Sequence, residues 1–147
     1  MYIMSKYNSK KVEIDGIIFD SKDEALYYEC LKDKKLKFDI LDFELQPKFI
    51  LQEGFKKNGK TFKPITYKGD FRVYNLDGTS CIVDVKGMAT DVFKIKYKMF
   101  CNKFDEELKL IARSVKYGDE YGFIDYFELK KIRSANKKAK KEKEKNN

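Results

Sequence analysis

The chain has 147 residues, 15% of them aromatic, a formal net charge of +8, three cysteines and no histidine. That length suits one domain able to bury a core, and no run reaches the ~18 uninterrupted apolar residues of a membrane span. The missing histidine removes Ser-His-Asp, Cys-His and most zinc chemistry, and Cys30, Cys81 and Cys101, odd in number and without a CxxC pair, argue against a disulfide framework.

The opening MYIMSKYNSKK has no apolar stretch of signal-peptide length, so a cytoplasmic protein is expected. Residues 11–20 read as a hairpin around Asp15-Gly16, a strong two-residue turn signal. Ser21-x-x-Glu24 then opens a helix reaching about Lys35, with Leu26, Tyr27 and Leu31 on one side. Strands are predicted over Ile40–Leu45 and Lys48–Gly54, with Gln46-Pro47 marking a strand edge or start and a turn at Lys56–Lys60. Phe62–Asn75 is the longest predicted strand, Leu76–Gly78 the turn after it, and Ser80–Lys86 a short apolar strand, central in its sheet.

Thr90 or Asp91 caps a helix running to about Lys103, whose Phe93, Tyr97, Phe100 and Phe104 form a core stripe. Glu107–Arg113 is a further strand, and Tyr121–Ile132 a last helix. From Lys130 onward nine lysines or arginines face two glutamates, a net of +7 that leaves the first 129 residues nearly neutral. Residues 134–147 are expected to be a disordered basic tail beyond a single domain of residues 1–133. Such a tail serves either as an arm attracted to phosphates or as a solubilising extension. The order of elements predicts an α/β (α+β) layer arrangement around a mixed sheet.

Strand alternation places Asp84 and Lys86 on one face of Ser80–Lys86 with Ile82, while Cys81, Val83 and Val85 face the other way. In the preceding strand Ile65, Tyr67, Phe71 and Val73 are assigned to one face, and Thr66, Lys68, Asp70 and Arg72 to the other. Pairing through the Leu76–Gly78 turn brings Asp70 opposite Asp84. Two such carboxylates repel unless a cation lies between them, and a hard divalent ion such as Mg2+ with oxygen ligands resolves the conflict. The same D-x-K spacing also arises in ordinary surface ion pairs.

The ordered set Ser21-x-x-Glu24, Ile65-Thr-Tyr-Lys-Gly-Asp70-Phe71 and Val83-Asp84-Val-Lys86-Gly87 resembles the PD-(D/E)XK nuclease superfamily. More closely, with Phe19-Asp-Ser21, Leu45-Gln-Pro-Lys-Phe49 and Thr90-Asp91-Val92, it is similar to phage-borne proteins of the Gp49-like, DUF1064 group, themselves similar to Holliday junction resolvases. The resemblance spans roughly residues 10–111. It implies a restriction-endonuclease-like core, a central mixed β-sheet flanked by helices, and hydrolysis of DNA phosphodiesters with Mg2+ or Mn2+. Asp70 and Asp84 are then the metal ligands, Lys86 the base or electrostatic catalyst, and Glu24 the helical carboxylate. Gly69 stands where the superfamily's name pattern has proline.

Glu24 is equally well read as the capping-box partner of Ser21. Lys68 and Arg72 are expected to touch DNA or balance the carboxylates; Lys94 and Lys98, one helical turn apart, reach phosphates or form a solvated face. The expected partners are branched or duplex DNA and a second copy of the chain, since two symmetric cuts at a junction call for a homodimer. A nucleic-acid-binding protein that keeps the fold without cutting is the competing reading. No membrane association and no small-molecule cofactor are expected.

Overall fold

The computed structural model describes residues 10–147. Strands β1 (Val12–Ile14) and β2 (Ile17–Phe19) form the predicted hairpin, with Asp15 and Gly16 both left-handed, as a two-residue turn needs. Helix α1 (Lys22–Leu36) follows, Ser21 Oγ accepting from the Glu24 N–H. Next come β3 (Asp42–Leu45), β4 (Lys48–Gln52), β5 (Phe55–Lys57), β6 (Lys60–Phe62), β7 (Ile65–Lys68), β8 (Phe71–Tyr74) and β9 (Ser80–Val85). Helix α2 (Asp91–Lys103), capped by Thr90, leads to β10 (Glu107–Arg113), β11 (Phe123–Asp125) and α3 (Tyr126–Lys145).

Five strands make the central sheet in the order β11-β10-β9-β8-β3. β9 and β10 are parallel and joined through α2, while the other neighbours are antiparallel, so the sheet is mixed and β9 central, as expected. One face carries the β1–β2 hairpin and α1, burying Phe19, Tyr27, Tyr28 and Leu31 against Phe71, Val73, Cys81 and Val83. The other face carries α2 and the β4–β7 ribbon, burying Leu51, Tyr67, Phe93 and Phe100 against Ile82, Leu108 and Leu110. This mixed α+β arrangement, helices flanking a central mixed sheet, is consistent with a restriction-endonuclease-like core.

The long strand predicted over Phe62–Asn75 is broken. β8 stays in the central sheet, whereas β7 leaves it to pair with β4. The neighbouring strand bends at the same level: Gln46 is left-handed, its N–H donates to the Asp70 carbonyl, and the Gly69 N–H donates to the Pro47 carbonyl. The two chains therefore swing out of the sheet together and fold over its second face. Alternation counted straight through the bend fails, so Tyr67 packs on the α2 side and Phe71 and Val73 on the α1 side.

Three smaller expectations are also corrected. The Lys56–Lys60 turn is the tip of a full hairpin, β5–β6, with Asn58 and Gly59 left-handed. The last helix begins at Tyr126 rather than Tyr121, because Phe123–Asp125 pairs with β10 first. The tail expected to be disordered continues α3 to Lys145; its run of Ala, Lys and Glu has high helix propensity, and a helix already nucleated on the sheet extends residue by residue.

Candidate active site

β9 delivers the central residues. Its inward positions alternate as expected, Cys81 and Val83 toward α1 and Ile82 and Asp84 toward α2. The β8–β9 register runs Phe71↔Val83 and Arg72↔Ile82, which continued by one residue sets Asp70 opposite Asp84. Asp70 lies just outside β8, at the bend, and its Oδ2 accepts the Val85 N–H at 2.8 Å. Asp84 is 1% exposed, a carboxylate sunk in the sheet. Burial of that kind costs several kcal/mol unless each oxygen is satisfied.

One Asp84 oxygen is satisfied by a residue the sequence reading assigned to the wrong side. The Tyr67 hydroxyl donates to Asp84 Oδ2 at 2.5 Å. Burial and the adjacent carboxylate push the Tyr67 phenol well above its ordinary range, so it remains a donor. The other oxygen, Oδ1, is ion-paired with the Lys86 ammonium at 3.0 Å and, among the described residues, accepts no other hydrogen bond. Lys86 is steered from two sides, by Asp84 and by the Phe93 ring, whose centroid lies 4.5 Å from Nζ.

Asp70 is the most perturbed of these carboxyls. Burial first, then the charges of Asp84 and Glu24, push it up to about 8, against the opposing pull of the Val85 N–H and Lys86. Glu24 is 5% exposed, and it too is raised, by burial and then by Asp20 and Asp84. Its backbone serves the helix cap while its carboxyl feels Asp84 and Lys86. The cap and the site therefore share one residue. Glu24, Asp70, Asp84 and Lys86 form one electrostatic cluster at the C-terminal end of β9.

The basic residues expected around the site divide. Arg72 is committed elsewhere: its guanidinium is bidentate on Glu106 (3.0–3.3 Å), paired with Glu44 at 2.5 Å, and stacked 5.3 Å from the Phe49 ring. Those partners hold its charge, so it is paired with Glu106 and Glu44 rather than with Asp70. Lys68 follows Tyr67 in β7, and since Tyr67 faces Asp84, Lys68 points to the opposite, exposed side. Lys94 and Lys98 are exposed and line a cavity of about 290 Å3 between α2 and α3, together with Phe93, Tyr97, Phe127 and Lys130. Tyr97 thus edges a groove rather than lying wholly in the core.

Gly69, before Asp70, has a local reason. A Cβ there would stand 2.6 Å from Ile82 Cγ2, a fully buried side chain of β9. The bend can approach β9 closely enough to set Asp70 against it only because residue 69 has no side chain. Tyr67 was missed because its apolar ring fits a core pattern, and its hydroxyl gives no sequence signal until the bend is known.

Among the described residues, no three His, Cys, Asp or Glu side chains stand close enough to hold a metal unaided. Two buried carboxyls that raise one another's charge cost, with one lysine between them, nevertheless match an ion that keeps part of its shell for water and phosphate, as Mg2+ does.

No curated protein matches the chain. Residues 4–119 match the family described as protein of unknown function (DUF1064), and the chain belongs to that family. The match covers the whole Glu24–Asp70–Asp84–Lys86 cluster and ends before β11 and α3.

Proposed function

We propose that this DUF1064 protein is a metal-dependent DNA endonuclease of the PD-(D/E)XK kind, hydrolysing phosphodiester bonds and selecting branched DNA in the manner of a junction resolvase. The observation that carries the reading is the meeting of two buried carboxyls, Asp70 and Asp84, with the single ammonium of Lys86 at the end of β9.

Asp70 and Asp84 would hold Mg2+ or Mn2+, with Glu24 behind them. When bound, such an ion polarises the phosphate and lowers the pKa of water. The protein's own groups do the rest. Tyr67 fixes the Asp84 carboxylate, and the Val85 N–H fixes that of Asp70, so neither has to reorganise when substrate arrives. Lys86 is partly exposed and held by both Asp84 and the Phe93 ring. It would donate to a non-bridging phosphate oxygen as water, giving up a proton to solvent, adds to phosphorus and the P–O bond to the leaving strand breaks, the departing oxygen taking up a proton.

Lys94 and Lys98, facing out beside the site, would contact flanking phosphates. Two matched cuts across a junction require a pair of sites, so the reading carries a homodimer with it. No helix among the described residues is long and apolar enough to cross a membrane. The role proposed is in phage replication or recombination, in the host cytoplasm.

The test is direct. Labelled four-way, duplex and single-stranded DNA are incubated with the protein, with and without Mg2+ or Mn2+, beside Asp84→Ala. Cutting that needs the metal and vanishes in the variant supports the proposal. Binding without cutting in either metal would leave a nucleic-acid-binding protein and overturn it.

A further inference from the structure

Residues 52–64 are exposed without exception. Within them β5 and β6 pair only with each other, and the Phe55 and Phe62 rings stack on one another with centroids 4.7 Å apart. Both rings stay over 40% exposed. An isolated two-stranded hairpin is marginal in water. This one nevertheless extends from the body and keeps an apolar pair in solvent.

Its charge is one-sided. Lys56, Lys57, Lys60 and Lys63 share the segment with a single acid, Glu53, and among the described residues none of the four lysines is in an ion pair. The first 129 residues are nearly neutral as a whole, so this is a local concentration of charge. The hairpin is also anchored to the site. It joins β4 to β7, and β7 carries Tyr67 onto Asp84 and leads into Asp70. Anything it grips is therefore held in a fixed relation to the carboxylates.

The geometry points to β5–β6 as a nucleic-acid-binding arm that lies in a groove of duplex DNA beside the candidate active site, its lysines on phosphates and its Phe55–Phe62 pair against the sugar or base edges. The inference rests on the nuclease reading for what lies at the site, though not for the binding itself. A two-stranded ribbon fits the ~12 Å major groove. Lysines that neutralise phosphates make affinity fall steeply with salt, by about 0.9 in log–log slope per contact. An apolar pair beside them supplies contact that salt does not screen.

The experiment measures binding of a fluorescein-labelled 30-base-pair duplex to the full chain by anisotropy, in EDTA so that nothing is cut, across a KCl series. The quadruple variant Lys56→Ala/Lys57→Ala/Lys60→Ala/Lys63→Ala should reduce the salt slope by about 2–3 and weaken binding at least tenfold at 100 mM KCl. Phe55→Ser/Phe62→Ser should weaken binding about fivefold and leave the slope unchanged. Neither set touches the buried core, so both should melt like the parent.

An unchanged slope and affinity in the lysine variant would overturn the arm. So would polyglutamate competing as well as duplex of equal charge, since the hairpin would then read charge alone. The two readings fail separately. Duplex binding that depends on the arm, without metal-dependent cutting, removes the nuclease and keeps the arm; cutting that persists with binding indifferent to the arm does the reverse.

Discussion

Replacing Asp70 with asparagine should make the protein more stable while abolishing any metal-dependent cleavage. Asp70 is pushed up to about 8 by burial and by Asp84 and Glu24, so at pH 7 the fold must either take up a proton or hold an unfavourable charge. An ordinary aspartate titrates about three pH units below neutrality, and at about 1.4 kcal/mol per unit the penalty has a ceiling of about 4 kcal/mol. Asparagine removes the charge, and its amide oxygen still accepts the Val85 N–H. Its NH2 group needs partners of its own, however, so about 2 kcal/mol is the working figure, or roughly 8 °C in Tm for a chain of this size.

The pH dependence gives the sharper test. A carboxyl raised in the folded state contributes stability that is fully present below its unfolded pKa and is lost as pH rises through the folded one. The parent's Tm should therefore fall between pH 4 and pH 8 and flatten above, with Glu24 adding in the same direction. Asp70→Asn should show a shallower fall. Differential scanning calorimetry in EDTA at pH 5, 7 and 8.5 reads both. A variant less stable than the parent at pH 7, or a parallel pH profile, would refute the claim that Asp70 is held at a cost.

Other substitutions probe the parts that hold the cluster. Tyr67→Phe removes the donor to Asp84 and leaves a buried oxygen unpaired, which should cost about 1–3 kcal/mol in urea unfolding and lower any cleavage rate about tenfold or more. Gly69→Ala drives a methyl group against Ile82 and should destabilise by about 1–3 kcal/mol in the same assay. Deleting residues 135–147 removes only exposed helix, so Tm should shift by less than about 2 °C. The salt slope for duplex binding should flatten in that truncation if α3 meets phosphates.

What was legible in the sequence was whatever obeys a fixed local period. Asp84 and Ile82 share a face of β9 because a strand alternates, and Asp70 meets Asp84 because the 76–78 turn fixes the antiparallel register. Ser21 and Thr90 cap their helices through bonds that span three residues. What was hidden depends on contacts distant in sequence. Nothing near Gly69 shows that Gln46 and Pro47 will bend beside it, and without that bend Tyr67 falls on the wrong face. Arg72 looked free because its partners, Glu44 and Glu106, lie 28 and 34 residues away. The β5–β6 hairpin carried an Asn-Gly turn in plain view, but its strands do not alternate polar with apolar because neither face is buried.

The bend that defeats simple alternation is also what makes the cluster possible. A straight strand through residues 62–75 would keep residues 67 and 71 on one face, and the Tyr67 hydroxyl could not reach a carboxylate that faces the other way. By leaving the sheet at Gly69, β7 folds over the second face and sets the hydroxyl on Asp84, while the Asp70 carboxyl turns in to the Val85 N–H. Each carboxylate thereby gains one neutral donor, beside the Lys86 ammonium that is ion-paired with Asp84. When ionised, Glu24, Asp70 and Asp84 carry three negative charges against the one positive charge of Lys86, and Asp20 beside Glu24 adds to the excess. A buried excess of that size is removed by protons or by a cation, and one divalent ion cancels it in a single step. A fold selected only for stability would have placed Arg72, one residue beyond Phe71, where it could share that burden; here Glu106 and Glu44 hold it away.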